Sequence, residues 1–375
     1  MGKIELDHTG SGGGVTLSSD GTDLLLDGTA IGGGPDLFAE NWNGTTTQPS
    51  ATGVNAVAIG TSSNSTGTGA LSGPHSNAGG DYSFAAAIGN STSSYGSQGN
   101  NSVAFGQNSL SNGLNSAALG ANAQAIGTGS SAVGQSYSSG SYAFAAAINN
   151  NSSSYGATGV NSVAMGQQSK ATGDDAVAIG ENSIASATSS SVLGGTANTA
   201  SGIKSACIGG SSNSATQIFS YATGSNAKSE VTGKWTHSSG IFSTSGDAQR
   251  GWQIERTETS GFDIQSFTTN GSSESSSNQI KVPTDAAVAF RGMIVAKEEG
   301  TSDCAAWIVE GLAVNNGGTT TLVNSATTTI NNAPSWGLAT QIDDGNDVVQ
   351  FLAVGATSHD IRWVAAIDTV EVTAA

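Results

Sequence analysis

The sequence predicts an all-β protein: a narrow parallel β-roll of 14-residue repeats, followed by a C-terminal antiparallel β-sandwich of jelly-roll-like type. Three observations predict it. The motifs NSVAFG (101–106), NSAALG (115–120), SSAVG (130–134), NSVAMG (161–166) and DAVAIG (175–180) close on glycines that fall 14 residues apart within each group. A larger unit repeats too: FAAAIGNSTSSYG (84–96) returns as FAAAINNNSSSYG (144–156), and Gly106, Gly120 and Gly134 return at Gly166, Gly180 and Gly194, shifted by 60. From residue 251 onward the composition changes to longer β-branched and aromatic runs parted by polar turns. A fixed period marks a solenoid, whose repeats bury apolar surface only against their neighbours.

Each coil reads as two short strands and two tight corners. The residue before the closing glycine is apolar at Ile59, Ile88, Phe105, Leu119, Val133, Met165, Ile179, Leu193 and Ile208, and a second apolar residue often stands two earlier, as at Val57, Val103, Val163 and Val177. That spacing places both side chains on one face of a strand, which is expected to be the core, with the intervening alanines on a second face suited to packing of identical chains. The repeat glycines Gly60, Gly89, Gly106, Gly120, Gly134, Gly166, Gly180, Gly194 and Gly209 are expected at corners, with a second set (Gly67, Gly113, Gly127, Gly173) seven residues on. Glycine suits positive φ or close backbone approach. A helix is excluded, because glycine every seven residues costs about 1 kcal/mol each against alanine. A roll this narrow buries little, at roughly 25 cal/mol per Å² of apolar area, so burial between chains is expected to supplement it.

These motifs resemble the YadA-like head repeats of trimeric autotransporter adhesins over about 55–210. The resemblance implies a homotrimer of left-handed parallel β-rolls. Two features depart from it: Asn149 replaces a closing glycine, and the FAAAI segments carry three extra residues before the next motif. The C-terminal membrane barrel of that family is not seen, so its export biology is not carried over.

In chain order, residues 1–34 read as an N-terminal attachment module, with β-patterned runs Val15–Ser18 and Leu24–Leu26 about a Ser-Asp-Gly turn, too short to hold a core alone. Residues 35–54 are a linker, 55–210 the roll shaft and 211–250 a neck in which the register dissolves and bulkier residues such as Trp235, Ile241 and Phe242 cap the last coil. The sandwich, 251–375, carries strand patterns at Trp252–Glu258, Phe262–Thr268, Val288–Ala296, Ala305–Val314, Thr319–Val323, Thr327–Ile330, Trp336–Ile342, Val348–Val354 and Ile361–Val372. The strings HSSGIFSTSGDAQ (237–249), AWIVEGL (306–312) and IRWVAAIDTVEV (361–372) resemble a C-terminal domain recurrent in phage and prophage tail-fibre proteins.

Net charge is −17, with 28 acids against 11 Lys and Arg, which argues against a nucleic-acid partner. The acids are uneven: 7 in 1–40, 5 in 41–240 and 16 in 241–375. Cys207 and Cys304 are expected to be two buried free thiols. No apolar run reaches the ~20 residues of a membrane span, and MGKIELDHTG lacks the apolar centre of a signal peptide. No membrane partner is expected, and localisation on a virion is.

No catalytic residue, metal site or cofactor is assigned. Cutting a polysaccharide needs two facing carboxylates about 5–9.5 Å apart, and no Asp or Glu occurs in the 92 residues from Tyr82 to Gly173. Asp174, Asp175 and Glu181 read as solvated corners. His8, His75, His237 and His359 lack metal-ligand spacing. The loop Asp343–Asp347 reads as a hairpin turn before a calcium site. Tyr82, Tyr95, Tyr142 and Tyr155 lie in the inserted units; their rings either stack on sugars or steady the insert loops against a neighbouring chain. The expected function is a virion tail fibre, not an enzyme, that docks on a virion protein through its N-terminal module and binds a host surface polysaccharide or protein multivalently. The alternatives are a capsid decoration or head fibre without receptor binding, and a polysaccharide-degrading tailspike.

Overall fold

The computed structural model describes residues 4–6, 15–19, 24–26, 29–31 and 48–374, apart from 91, 151, 333 and 335. Every regular element among them is a strand. The chain forms two compact units, Met1–Ser139 and Gly140–Ala375.

In the first unit, the strands Ile4–Leu6, Val15–Ser19, Leu24–Leu26 and Thr29–Ile31 pair antiparallel in chain order. The two runs expected from sequence are the central pair, in register at Leu17 and Leu26. The Asp20-Gly21 turn between them and linker residues 35–47 lie outside the described residues. Parallel coils follow. One ladder runs from Val57–Ala58 through Leu71–Ser72, Phe84–Ala86, Val103–Phe105 and Ala117–Leu119 to Ser131–Val133. The opposite ladder contains Asn64–Ser65, Asn77–Ala78, Gly96–Ser97, Leu110–Ser111, Gln124–Ala125 and Tyr137–Ser138.

The interior is lined by alanine and serine. In Val103-Ala104-Phe105 it is Ala104 that points inward, and Ala118 and Ala132 stack on it in register. Ala125 faces them from the other ladder, fully buried. This overturns the expected facing for most of these residues: the apolar i, i+2 pairs such as Val103 and Phe105 point out of the coil, while Ile88 is buried as expected. The reason is width. Two strands joined by tight corners leave little space between them, so the inward positions are mostly alanine and serine, with Val192 and Cys207 as larger occupants of the same register position in the second unit. Some buried serines bond to the corners, as Ser102 Oγ donates to the Gly99 carbonyl at 2.5 Å and Ser116 Oγ to that of Gly113 at 2.7 Å.

The corners explain both glycine sets. The repeat glycines Gly60 to Gly209 all have φ between +65° and +124°, the left-handed region that glycine enters without a Cβ penalty. Gly99 and Gly113 serve a different need, since an added Cβ on either would lie 2.1 and 1.9 Å from the carbonyl oxygen of Gly113 and Gly127 in the next coil. Asn149 adopts φ +55° where its counterpart Gly89 has +67°, so asparagine, the residue that best tolerates this region, keeps that corner.

In the second unit the coils continue from Phe144–Ala146 to Trp235–Ser239. The parallel ladder therefore runs past residue 210, where the sequence reading ends the shaft. Ala222 and Thr236 hold the buried position in these last coils and Tyr221 and Trp235 point outward, so larger residues do not disturb the interior. The neck is confined to 240–247, where Asp247 accepts hydrogen bonds from the backbone N–H of Phe242, Ser243 and Thr244.

The terminal domain is two antiparallel sheets packed face to face. The larger has the order Ala248–Ser260, Asp360–Thr373, Ala286–Glu298, Cys304–Asn316, Thr319–Asn332. The smaller centres on Val348–Val354, flanked by Ile264–Ser266, Gly337–Asp343 and Ile280–Lys281. Thr319–Asn332 is one strand where the sequence suggests two; irregularities in its pairing at Ala306/Trp307 and Leu312/Ala313 carry the polar centre through. Between the sheets, Trp363 stacks on Trp307 at 5.5 Å and meets Phe267 edge-on at 6.3 Å. Such aromatic pairs add about 0.5–1.5 kcal/mol each beyond area burial. The ladder is continuous between roll and sandwich in this unit: Trp235–Ser239 pairs antiparallel with Ala248–Ser260, Trp235 opposite Trp252.

Candidate functional site: the outward columns of the roll

Because the coils are in register, each outward position becomes a column. In the first unit Phe105, Leu119 and Val133 stack in one, and Val103, Ala117 and Ser131 in the next. In the second unit the columns are Met165, Ile179, Leu193 and Ile208, and Val163, Val177, Ser191 and Ala206. Phe105 is 51% exposed and Leu193 50%. Single exposed apolar residues are ordinary, but contiguous apolar stripes mark interaction surfaces. Beyond Ile208 the first of these columns turns polar, at Thr223 and His237, whose side chains hydrogen-bond at 2.9 Å.

A second outward feature lies where roll meets sandwich. Trp235 and Trp252, paired across strands, line a cleft of about 340 Å³ with His237, Arg250 and Asp368. Arg250 Nη2 is 2.7 Å from Asp368 Oδ1. Behind this wall, Lys234 is ion-paired with Glu371 and both are buried. Desolvation alone would raise the Glu371 carboxyl, but the ammonium of Lys234 and the Thr369 and Gln249 donors hold it below its ordinary value.

Four of the carboxylates singled out from sequence accept hydrogen bonds within the fold. Asp174 Oδ1 accepts the Val160 N–H at 2.9 Å and Asp175 Oδ1 accepts from Asn161 Nδ2 at 3.0 Å, both between coils. In the 343–347 loop, Asp343 Oδ1 accepts the Gly345 N–H at 3.1 Å and Asp347 Oδ1 the Thr320 hydroxyl at 2.6 Å, bonds that build the turn. A larger cleft of about 540 Å³ in the sandwich holds Glu258 and Glu274 beside Arg256 and Arg362. Arg362 Nε engages Glu258 at 3.1 Å. His8 lies outside the described residues, while His359 Nδ1 sits 2.8 Å from Glu298 Oε1. Cys207 is buried, its thiol pushed up to about 12 by desolvation. Cys304, expected to be buried, is exposed, because it opens its strand on an outward position.

Of the four tyrosines, Tyr95 and Tyr155 pack against the alanine core. Tyr82 and Tyr142 do not: they are 69% and 68% exposed. Residue-type reasoning missed the tryptophan cleft and the Lys234–Glu371 pair, since both join segments remote in sequence. The alternation Trp235-Thr-His-Ser carries the one legible hint of an outward tryptophan.

Among the described residues no helix is long and apolar enough to cross a membrane. The YadA head domain repeat family matches residues 51–71, 97–123, 111–136, 157–183 and 171–197. Among curated proteins none matches. Solved structures that align include a tailspike protein, gp49, of Acinetobacter baumannii bacteriophage Fri1, described as a capsular polysaccharide depolymerase. It shares 7% identity, covers 85% of this chain and has a TM-score of 0.21; the chain spans 65% of its length. The tailspike of Acinetobacter baumannii phage AM24 aligns with 8% identity over 88% of this chain and 69% of that one, TM-score 0.19. Values this low establish no common fold. The segments matched in 51–197 are YadA-like head repeats within an all-β chain.

Proposed function

We propose that this chain is a homotrimeric attachment fibre of a bacteriophage, probing the host surface by binding rather than by cutting. The observation that carries the reading is the outward apolar columns of the coils, Phe105-Leu119-Val133 and Met165-Ile179-Leu193-Ile208. A monomer would expose them to water along every coil. Three identical rolls around a common axis bury each column against its counterparts and leave the corners free. The YadA-like repeats support the same assembly. The phage setting rests on the likeness of 237–249, 306–312 and 361–372 to tail-fibre domains. In this reading the N-terminal module docks on a virion protein and the sandwich presents the host contact. Rigid linkage of three weak sites then supplies avidity without any new contact.

Light scattering tests the assembly: a trimer has a mass of 110.7 kDa, three times the 36.9 kDa chain, and a monomer at 36.9 kDa removes the reading. Deleting 251–375 from the fibre of an intact particle tests attachment. Loss of adsorption with normal particle assembly is expected, and unaltered adsorption refutes the assignment.

A further inference from the structure

Both corners of a coil carry left-handed residues, and those at the corner opposite the closing glycines form a ridge distinct from the apolar columns. In the first unit the ridge reads Asn55, Gly69, Tyr82, Asn101, Asn115 and Gly129, with φ between +55° and +64°. Successive members are tied by one backbone bond each: Tyr82 N–H to Thr68 O at 2.7 Å, Asn101 N–H to Asp81 O at 2.7 Å, Asn115 N–H to Asn100 O at 2.9 Å. Asparagine and glycine are what this conformation favours. A tyrosine there is strained, and a ring 69% exposed gains little by burial. The ring leans back over Gly69, whose absent side chain leaves room: a Cβ on Gly69 would lie 2.9 Å from Tyr82 Cδ1.

The second unit repeats the arrangement with its own residues. Tyr142 has φ +58° and is 68% exposed, and the next two corners are Asn161 and Asp175. Beside each tyrosine runs the same side-chain ladder, Asn101 Nδ2 to Asn115 Oδ1 at 3.2 Å in one and Asn161 Nδ2 to Asp175 Oδ1 at 3.0 Å in the other. A third aromatic on this ridge, Phe219 at φ +56°, differs in being covered by a cation, with Lys204 Nζ 5.4 Å from its ring centroid.

We propose that Tyr82 with Asn101 and Asn115, and again Tyr142 with Asn161 and Asp175, form two copies of a saccharide-binding ridge. It extends the attachment reading, on which it rests, from the sandwich to the roll. A rigid tyrosine presents a flat face and a hydroxyl at low entropy cost, and amides adapt their hydrogen bonding to whatever lies beside them. Together they suit a hydroxyl-rich, uncharged chain. Coils rise about 4.8 Å apart, close to the span of one sugar unit, so the ring over the Gly69 corner and the amide ladder that begins at Asn101 meet separate residues of one extended glycan. Asp175 and the absence of any basic residue among these six ridge positions disfavour anionic chains.

The test is a panel of immobilised neutral oligosaccharides built on glucose, galactose, mannose and N-acetylglucosamine, probed with fluorescently labelled full chain. Asparagine is the native residue at the equivalent corners, so Y82N/Y142N relieves strain while removing both rings. The double variant should retain its mass, melt no lower than the parent and lose at least tenfold in panel binding. Phe219→Asn should bind as the parent does. The proposal is overturned if the double variant binds as tightly as the parent, if the parent binds no member of the panel, or if the variant changes mass, which would make the rings subunit contacts. Undiminished adsorption of the parent to cells alongside any of these results leaves the attachment reading standing; absence of adsorption removes both.

Discussion

Glu255 offers the sharpest test of the sandwich as described. It points inward from Ala248–Ser260, fully buried, opposite Ala365 on the neighbouring strand and two residues from Gln253, which points the same way. Its Oε1 accepts from Gln253 Nε2 at 2.7 Å, and Oε2 has no hydrogen-bond partner among the described residues. Desolvation pushes the carboxyl up to about 8 from an ordinary 4.5, the Gln253 bond offsetting part of the rise. The folded state therefore holds a proton that the unfolded chain releases. Stability from this group is fully present below pH 4.5 and is lost as pH rises towards 8. At about 1.4 kcal/mol per unit of pH, the loss between pH 5 and pH 8 is roughly 4 kcal/mol. Glu255→Gln keeps the shape and removes the titration. Guanidinium midpoints followed by fluorescence of the buried Trp307 and Trp363 should coincide for parent and variant near pH 5. By pH 8 the variant should be more stable by an amount of that order. Parallel pH profiles for the two proteins would refute the buried, proton-bearing Glu255 and with it the packing of that strand.

Further outcomes follow from the coil geometry and the roll–sandwich contact. Gly113→Ala places a Cβ against the Gly127 carbonyl and should lower stability by about 1–3 kcal/mol, as overpacking does. Gly134→Ala, with nothing within 4 Å, should cost only the left-handed strain of about 1–2 kcal/mol; thermal melts that rank the two the other way would contradict the coil spacing. On the trimer proposed above, Phe105→Asp combined with Leu119→Asp should reduce the solution mass from 110.7 to 36.9 kDa with the β circular dichroism retained, and an unchanged mass would dismiss the columns as the subunit contact. Lys234→Met strands a buried carboxylate and should cost about 3–5 kcal/mol, with Lys234→Met/Glu371→Leu recovering most of it in denaturant titrations.

The legible parts of the chain are those in which a local requirement repeats. Closing glycines at a 14-residue spacing mark a positive-φ corner in coil after coil, so the period and the strand class are written in the primary structure. The strand Val348–Val354 is read to the residue from its apolar run, because both its neighbours bury it. Thr319–Asn332 is not, since a polar centre at Asn324–Ser325 looks like a turn until a partner strand holds it straight.

The sequence alone determines the alternation in Val103-Ala104-Phe105, hence two faces, and the identity of the residues on each. Which face is inside was decided by the tertiary structure: the distance between the two ladders admits Ala104 and excludes Phe105. The left-handed ridge, which sets Tyr82 beside Asn101 and Asn115, likewise exists only once coils stack in register. Lys234 and Glu371 lie 137 residues apart in sequence and meet inside the fold. Local conformational preference is a property of a few neighbouring residues, whereas interior width and the meeting of distant charges arise only when the whole chain has closed on itself.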